Sequence, residues 1–442
     1  MPEIIFRGGV IVTVDPQSTV TDGDVVCRDG VIVQVGGQAM PSRDDYEILD
    51  CDGCIVMPGL VQSHVHMCQT LARGRADDLE LLDWLRAVVW PYEAALSERD
   101  MAAAARLACA ELLRGGTTAV LDMGTVRHTD VLFEVARDAG LRATIGKAMM
   151  DATDAGHPRG LTESTAESLA ESTRLCQQWH GAAGGRLRYA FAPRFALSCT
   201  DALLREVAVA ARQFGARIHT HSSENRAEID LVRTTRGADN VVYLRDTGLC
   251  GPDVGLAHCV WLTDEEREVL RATGTHVLHC PSSNLKLASG IAHVPEMIDD
   301  GIAVSLGADG APCNNNLDGF VEMRLAALIH KPRVGPRAMR AAQVVRMATM
   351  GGARALGLDH AIGSLEVNKR ADVIAVDATG AHVAPTDNPY SALVYACRST
   401  DVRHVVVDGA IVVRDRELLT LDAERTAAEA RERARALFGR LE

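Results

Sequence analysis

Aromatic residues are scarce, at 4% of 442 positions, and no stretch approaches the roughly 18 uncharged apolar residues that a membrane-spanning helix needs, so a membrane partner is not expected. Basic residues are outnumbered, 46 Lys and Arg against 59 Asp and Glu, and the formal net charge is −13. They are scattered rather than gathered into a stripe. Binding a polyanion requires clustered cations that displace its counterions, so nucleic acid is not an expected partner either. The start of the chain lacks the basic residues, apolar run and small-residue cleavage site of a secretory signal, which makes the cytoplasm the expected compartment. In that compartment the twelve Cys are expected to stay reduced and unpaired. Cys51 and Cys54 form a C-x-x-C pair, but no second pair stands at zinc-finger spacing and Pro58-Gly59 follows instead of a helix start. They read as two small strand residues. Internal repeats and low-complexity linkers are also absent.

What is present is ample apolar material, 47% of the residues, enough for a large domain and a smaller one. The first 57 residues are short β-type runs separated by turns, with Arg28-Asp29-Gly30 as a hairpin turn. From Pro58 onward, apolar strand-like segments at 60–64, 117–122, 143–149, 188–192, 217–221, 254–258, 275–279 and 302–306 alternate mostly with Ala- and Leu-rich helical stretches. That alternation predicts a (β/α)8 TIM barrel over 58–365. Short β-type runs return near 373–376, 402–407 and 411–413, with Asp408-Gly409 as another turn, so a small β-sandwich is expected from 1–57 and 366–422 together. A C-terminal helix is expected over 423–442.

Chemistry-bearing residues collect at the ends of four of the predicted barrel strands. His64 and His66 close the first, and because strand side chains alternate, both point to one face and can share a cation. His219 and His221 close the fifth with equal parity, so alternation alone does not choose between them as a third ligand. Glu224 follows just beyond, placed to move a proton. His258 ends the sixth strand, and Asp309 follows the last, at the carboxyl end where barrel active sites lie. A buried polar group at each of these ends costs free energy unless it is used.

His64-Val65-His66, His221 followed by Glu224, Ala257-His258-Cys259, the run from His279-Cys280-Pro281-Ser282-Ser283-Asn284 to Ser289-Gly290, and Gly307-Ala308-Asp309-Gly310 together resemble the amidohydrolase superfamily, in its aminohydrolase branch with one metal ion. The resemblance extends over nearly the whole chain. It implies that His64, His66, His221 and Asp309 hold one divalent ion, zinc first and iron second. The bridging Lys of dinuclear members has no counterpart in Tyr189-Ala190-Phe191-Ala192-Pro193-Arg194. It further implies that a metal-bound hydroxide attacks an amine-bearing ring carbon: Asp309 accepts the water proton, Glu224 protonates the ring nitrogen, His258 stabilises the developing charge, and ammonia leaves. The expected activity is that of a hydrolase acting on C–N bonds of cyclic amidines.

Two sets of residues point to different rings. Gln69 in the H-x-H-x-x-Q pattern, Arg194 and Phe195 in Pro193-Arg194-Phe195, and Ser223-Glu224-Asn225-Arg226 resemble guanine deaminase. There the Gln and Arg hold the purine, Phe195 packs on the ring, and His279 is a further pocket candidate. The stretch from Asp309-Gly310-Ala311-Pro312 through Asn314-Asn315-Asn316, with Glu322-Met323-Arg324, resembles deaminases of S-adenosylhomocysteine, methylthioadenosine and 5′-deoxyadenosine. Guanine or a related aminopurine is the first expectation, an adenosine derivative the second, an aminotriazine or chlorotriazine the third. A non-catalytic binding protein on the same fold would be expected to have lost ligands, and none is missing. The resemblance also implies a homodimer. Residues 73–98, with Trp84, Trp90 and Tyr92, are expected to form a lid, a dimer contact or the first barrel helix.

Overall fold

A computed structural model describes residues 2–153 and 156–441. Eight parallel strands form the barrel: Leu60–His66, Thr117–Met123, Arg142–Gly146 continued by Ala148–Met149, Leu187–Pro193, Arg217–Ser222, Val254–His258, His276–His279, and an eighth in two pieces, Val304–Leu306 and Asp309–Gly310. The first piece of the eighth strand pairs with the seventh and the second with the first strand, at Asp309–Val65 and Gly310–His66, which closes the ring. Every residue of the first two strands is buried, as expected of parallel strands covered on both faces. Val61, Leu121, Ala190, Ala257 and Leu278, from five separate strands, meet in one apolar cluster that they can share only inside the barrel.

Local sequence sets the helices between the strands. Ser97, Ser164 and Thr263 each accept from the backbone N–H three residues on, while the acidic residue there, Asp100, Glu167 or Glu266, reaches back to the cap. Gly140, Gly215 and Gly274 end helices in the left-handed conformation that glycine adopts without a Cβ clash. The first barrel helix is Glu98–Arg114, so residues 73–98 are a separate excursion before it, containing the helical turns Leu81–Trp84 and Trp90–Ala95.

The termini build two sheets beside the barrel. Val31–Val35, Val25–Arg28, Glu3–Arg7 and Tyr46–Asp50 form one. The other runs Glu417–Leu418, Ala410–Arg414, Val402–Val407, Val373–Asp377, Cys54–Pro58, Val10–Val12 and Val20–Asp22, so strands from the two ends of the chain alternate within it only at the junction of Cys54–Pro58 with Val373–Asp377. Phe6, Ile32, Leu49, Val56, Val373 and Val406 fill the layer between the sheets. Cys51 and Cys54 lie buried in the same layer as free thiols. Arg142, at the start of the third barrel strand, forks onto Asp372 at 2.7 and 2.8 Å and also reaches Asp408, tying barrel to sandwich through a buried ion pair. The C-terminal helix Ala423–Phe438 returns to the first barrel helix, where Arg433 and Arg440 pair with the buried Asp100 carboxylate. No helix among the described residues is long and apolar enough to cross a membrane.

Candidate metal centre and active site

His64, His66, His221, His258, Glu224 and Asp309 converge at the carboxyl ends of the barrel strands. Several stand on strained backbone. His258 and Asp309 have φ of 73° and 63°, and Ser223, just before Glu224, has φ of 54°. Such left-handed values in non-glycine residues cost of order 1–3 kcal/mol each and cluster at functional sites. Gly307 permits the eighth strand to pass close to the first, since a Cβ there would lie 2.6 Å from the His64 carbonyl oxygen.

The hydrogen bonds fix which nitrogen of each ring faces the centre. His66 Nδ1 lies 2.6 Å from the Met123 carbonyl and His221 Nδ1 lies 2.7 Å from the Arg194 carbonyl. A carbonyl only accepts, so both rings carry their proton on Nδ1 and present a bare Nε2. Burial drives the His66 pKa down to about 3 and that of His221 well below the usual value, which keeps both rings neutral. Their Nε2 atoms are nevertheless only 3.3 Å apart, and Asp309 Oδ1 lies 3.4 Å from the His66 one and 3.3 Å from His64 Nε2. His64 Nε2 is buried and has no hydrogen-bond partner. Lone pairs and a carboxylate oxygen converging in this way repel one another unless a cation lies among them, and three imidazoles with one carboxylate are a fitting donor set for a divalent ion. Burial raises the Asp309 carboxyl, but its surroundings, His258 among them, outweigh that and hold it well below the usual range.

His219 and His221 differ in their partners. His219 turns its Nε2 to His64 Nδ1 at 2.7 Å, on the far side of that ring, while His221 faces the centre. His219 is therefore a support for His64, a role that strand parity does not reveal. His258 Nδ1 is 2.8 Å from Asn284 Oδ1, and its Nε2 lies 3.4 Å from Glu224 Oε2 and 3.8 Å from Asp309 Oδ2. Burial lowers the His258 pKa, but the two carboxylates overcome that and raise it, whereas burial raises that of Glu224.

A cleft opens onto these groups. Leu81, Trp84, Leu85, Phe195 and Leu287 supply its apolar walls, so the 73–98 excursion is part of the wall of the site. Arg194 also lines it, but both terminal nitrogens of its guanidinium are taken by Glu93, a residue with no counterpart among the expected site residues. Gln69 donates to the same Glu93 at 2.8 Å and is fully buried. Gln69 and His279, both expected to touch the substrate, do not line the cleft. His279 packs 6.0 Å from the His330 ring. Glu228, also not expected, lines the cleft and accepts from the Glu224 N–H at 3.0 Å.

The family model described as the amidohydrolase family matches residues 55–412. The chain is 40% identical to a 5′-deoxyadenosine deaminase of Methanosarcina mazei, with all of both chains covered. It is likewise 40% identical to a 5-methylthioadenosine/S-adenosylhomocysteine deaminase of Syntrophobacter fumaroxidans over 98% of each. Among solved structures, a zinc-bound adenosine deaminase from Xanthomonas campestris superposes with a TM-score of 0.91 at 33% identity, covering 99% of both chains.

Proposed function

The chain belongs to the amidohydrolase family and is a hydrolase acting on C–N bonds, and we propose that it deaminates adenosine derivatives altered at the 5′ position, such as 5′-deoxyadenosine or methylthioadenosine. The observation that carries this reading is the 40% identity, across the full length, to enzymes named for those substrates. The guanine expectation rested on Gln69 and Arg194 as base readers. The Gln69 amide nitrogen and both terminal nitrogens of Arg194 are directed at Glu93 instead, which weakens the guanine reading.

His64, His66, His221 and Asp309 would hold the divalent ion, with zinc favoured by the bound zinc of the Xanthomonas campestris structure. When bound, such an ion acts as a Lewis acid and lowers the pKa of water from 15.7 to about 7. The chain's own residues supply the rest. Trp84, Leu85, Phe195 and Leu287 receive a flat apolar ring and exclude water from its faces. Asp309, ionised, accepts the proton that the attacking water gives up and later hands it to the amine, which leaves as ammonia when the C–N bond breaks and the remaining hydroxyl proton passes to Glu224. Glu224, whose buried carboxyl holds its proton more tightly than an exposed one, protonates the ring nitrogen next to the attacked carbon, so aromaticity is lost to a neutral adduct. His258 keeps its proton between Glu224 and Asp309, and stabilises negative charge developing on the incoming oxygen.

The test is ammonia release by metal-loaded protein from 5′-deoxyadenosine, methylthioadenosine, S-adenosylhomocysteine, guanine and an aminotriazine. Turnover of the first two at the highest kcat/KM is expected. Turnover of guanine alone, or of the triazine alone, would overturn the proposal.

A further inference from the structure

The site's hydrogen bonds divide by function. The rings of the His ligands are held from behind by residues in or next to the barrel strands: His64 by His219, His66 by the Met123 carbonyl, His221 by the Arg194 carbonyl. The three groups that handle protons are held from elsewhere. Ser283 Oγ donates to Asp309 Oδ2 at 2.6 Å, Asn284 Oδ1 lies 2.8 Å from His258 Nδ1, and Ser289 Oγ donates to Glu224 Oε1 at 3.2 Å. All three supports come from one seven-residue stretch after the seventh barrel strand, and all three are at most 2% exposed. We propose that residues 283–289 are a single positioning element that aims Asp309, His258 and Glu224 together, with Ser289 as the positioning residue for Glu224.

The stretch has the rigidity this role needs. Its helical part, Pro281–Lys286, is pinned where the Ser282 N–H donates to Glu322 Oε2 at 3.1 Å, and Glu322 in turn accepts from Asn314 at 2.8 Å. Lys286 Nζ donates to the Pro312 carbonyl at 2.8 Å, fixing it to the segment that follows Asp309. At its far end the Trp261 indole donates to the Ser289 carbonyl at 2.6 Å, and Gly290 lies so close beneath that ring that a Cβ would meet it at 2.7 Å. Ser289 therefore cannot drift, and its hydroxyl fixes one oxygen of Glu224 while the other is directed at His258. A carboxylate without that contact keeps its rotameric freedom, and a displacement of about 1 Å at a reacting group costs on the order of a hundredfold in rate.

The inference rests on the deaminase reading only for the substrate used to measure it. In metal-loaded full-length protein, Ser289→Ala is expected to lower kcat by about ten- to a hundredfold while KM and bound metal stay unchanged. In a Glu224→Gln background the same change is expected to cost nothing further, because the group it aims has already lost its proton. Equal losses in both backgrounds, a loss of metal, or an unchanged kcat would each refute the positioning role. A crystal structure of metal-loaded Ser289→Ala gives an answer without substrate: Glu224 is expected to occupy more than one rotamer, and a single rotamer identical to the parent's would overturn the proposal. Absence of turnover on every purine tested counts against the deaminase reading, and the rotamer result then decides the positioning role independently.

Discussion

Replacing His219 by Leu should weaken metal binding without touching a ligand. His64 can serve the centre only with its proton on Nδ1, and His219 Nε2, 2.7 Å away, is what accepts that proton. With an apolar residue at 219, the alternative tautomer gains ground, because Nε2–H can then turn to Asp309 Oδ1, 3.3 Å away, and the metal must reverse that choice. His64 is wholly buried, so no solvent replaces the lost acceptor. The penalty is that of one unsatisfied buried donor, about 1–3 kcal/mol, or roughly 5- to 150-fold in Kd. Orienting partners of metal-binding histidines in general are worth about 10- to 100-fold, in agreement. Equilibrium competition with a chelator for zinc, at a pH where all the imidazoles are neutral, measures this directly. His219→Gln, whose amide oxygen can also accept, should recover most of the affinity. A folded His219→Leu protein binding zinc within twofold of the parent would refute the reasoning.

Glu224→Gln should keep the metal and lose about 10²- to 10⁴-fold in kcat, whereas His66→Ala should lose metal and turnover together, as metal analysis beside ammonia release will show. Glu93→Gln leaves the Arg194 guanidinium, 3% exposed, as an unpaired interior cation, and should lower unfolding free energy by about 3–5 kcal/mol in urea titrations. The charge-free pair Glu93→Met with Arg194→Leu should recover most of that loss, and a double variant no more stable than the single one would refute the ion-pair account. Burial lowers His330 to about 4 and His279 to about 3, against roughly 6.5 in an unfolded chain. Both contribute stability that is complete above pH 6.5 and is lost as pH falls toward 4, because the unfolded chain takes up these protons first. The urea midpoint should therefore fall between pH 7 and 5, less steeply in His330→Leu, and equal slopes would count against the assignment.

Alternation of apolar strands with helices was enough to foretell the barrel, because each strand is a short buried run whatever its partners. Boundaries were less accessible. The eighth strand was expected to end at Leu306, yet the chain resumes pairing at Asp309, a break set by the close approach of Gly307 to His64 and not by local pattern. The candidate ligands could be picked from the sequence because chemistry restricts such groups to His and carboxylate at strand ends, and the structure brings His64, His66, His221 and Asp309 together. Their supports could not be picked: Met123 and Arg194 act through carbonyl oxygens, which every residue possesses. His219 could not be told from His221 because two residues of equal parity differ only in what faces them from other strands. Ser283, Asn284 and Ser289 lay inside a recognised run, but their targets are 26, 26 and 65 residues away. Glu93 is an acidic residue in a helical turn until Arg194, 101 residues later, is brought against it.

The seam between Cys54–Pro58 and Val373–Asp377 also bears on how the protein is made. About 300 residues, the whole barrel, separate those two strands along the chain. At synthesis rates of about 5–20 residues per second, the Cys54–Pro58 edge emerges roughly 15–60 s before its antiparallel neighbour exists. During that interval the side of it away from Val10–Val12 is an open edge of Ile, Val and Met, the kind of edge that recruits other chains. The barrel must close while tethered to a half-built sheet, and the last strands to leave the ribosome complete the first.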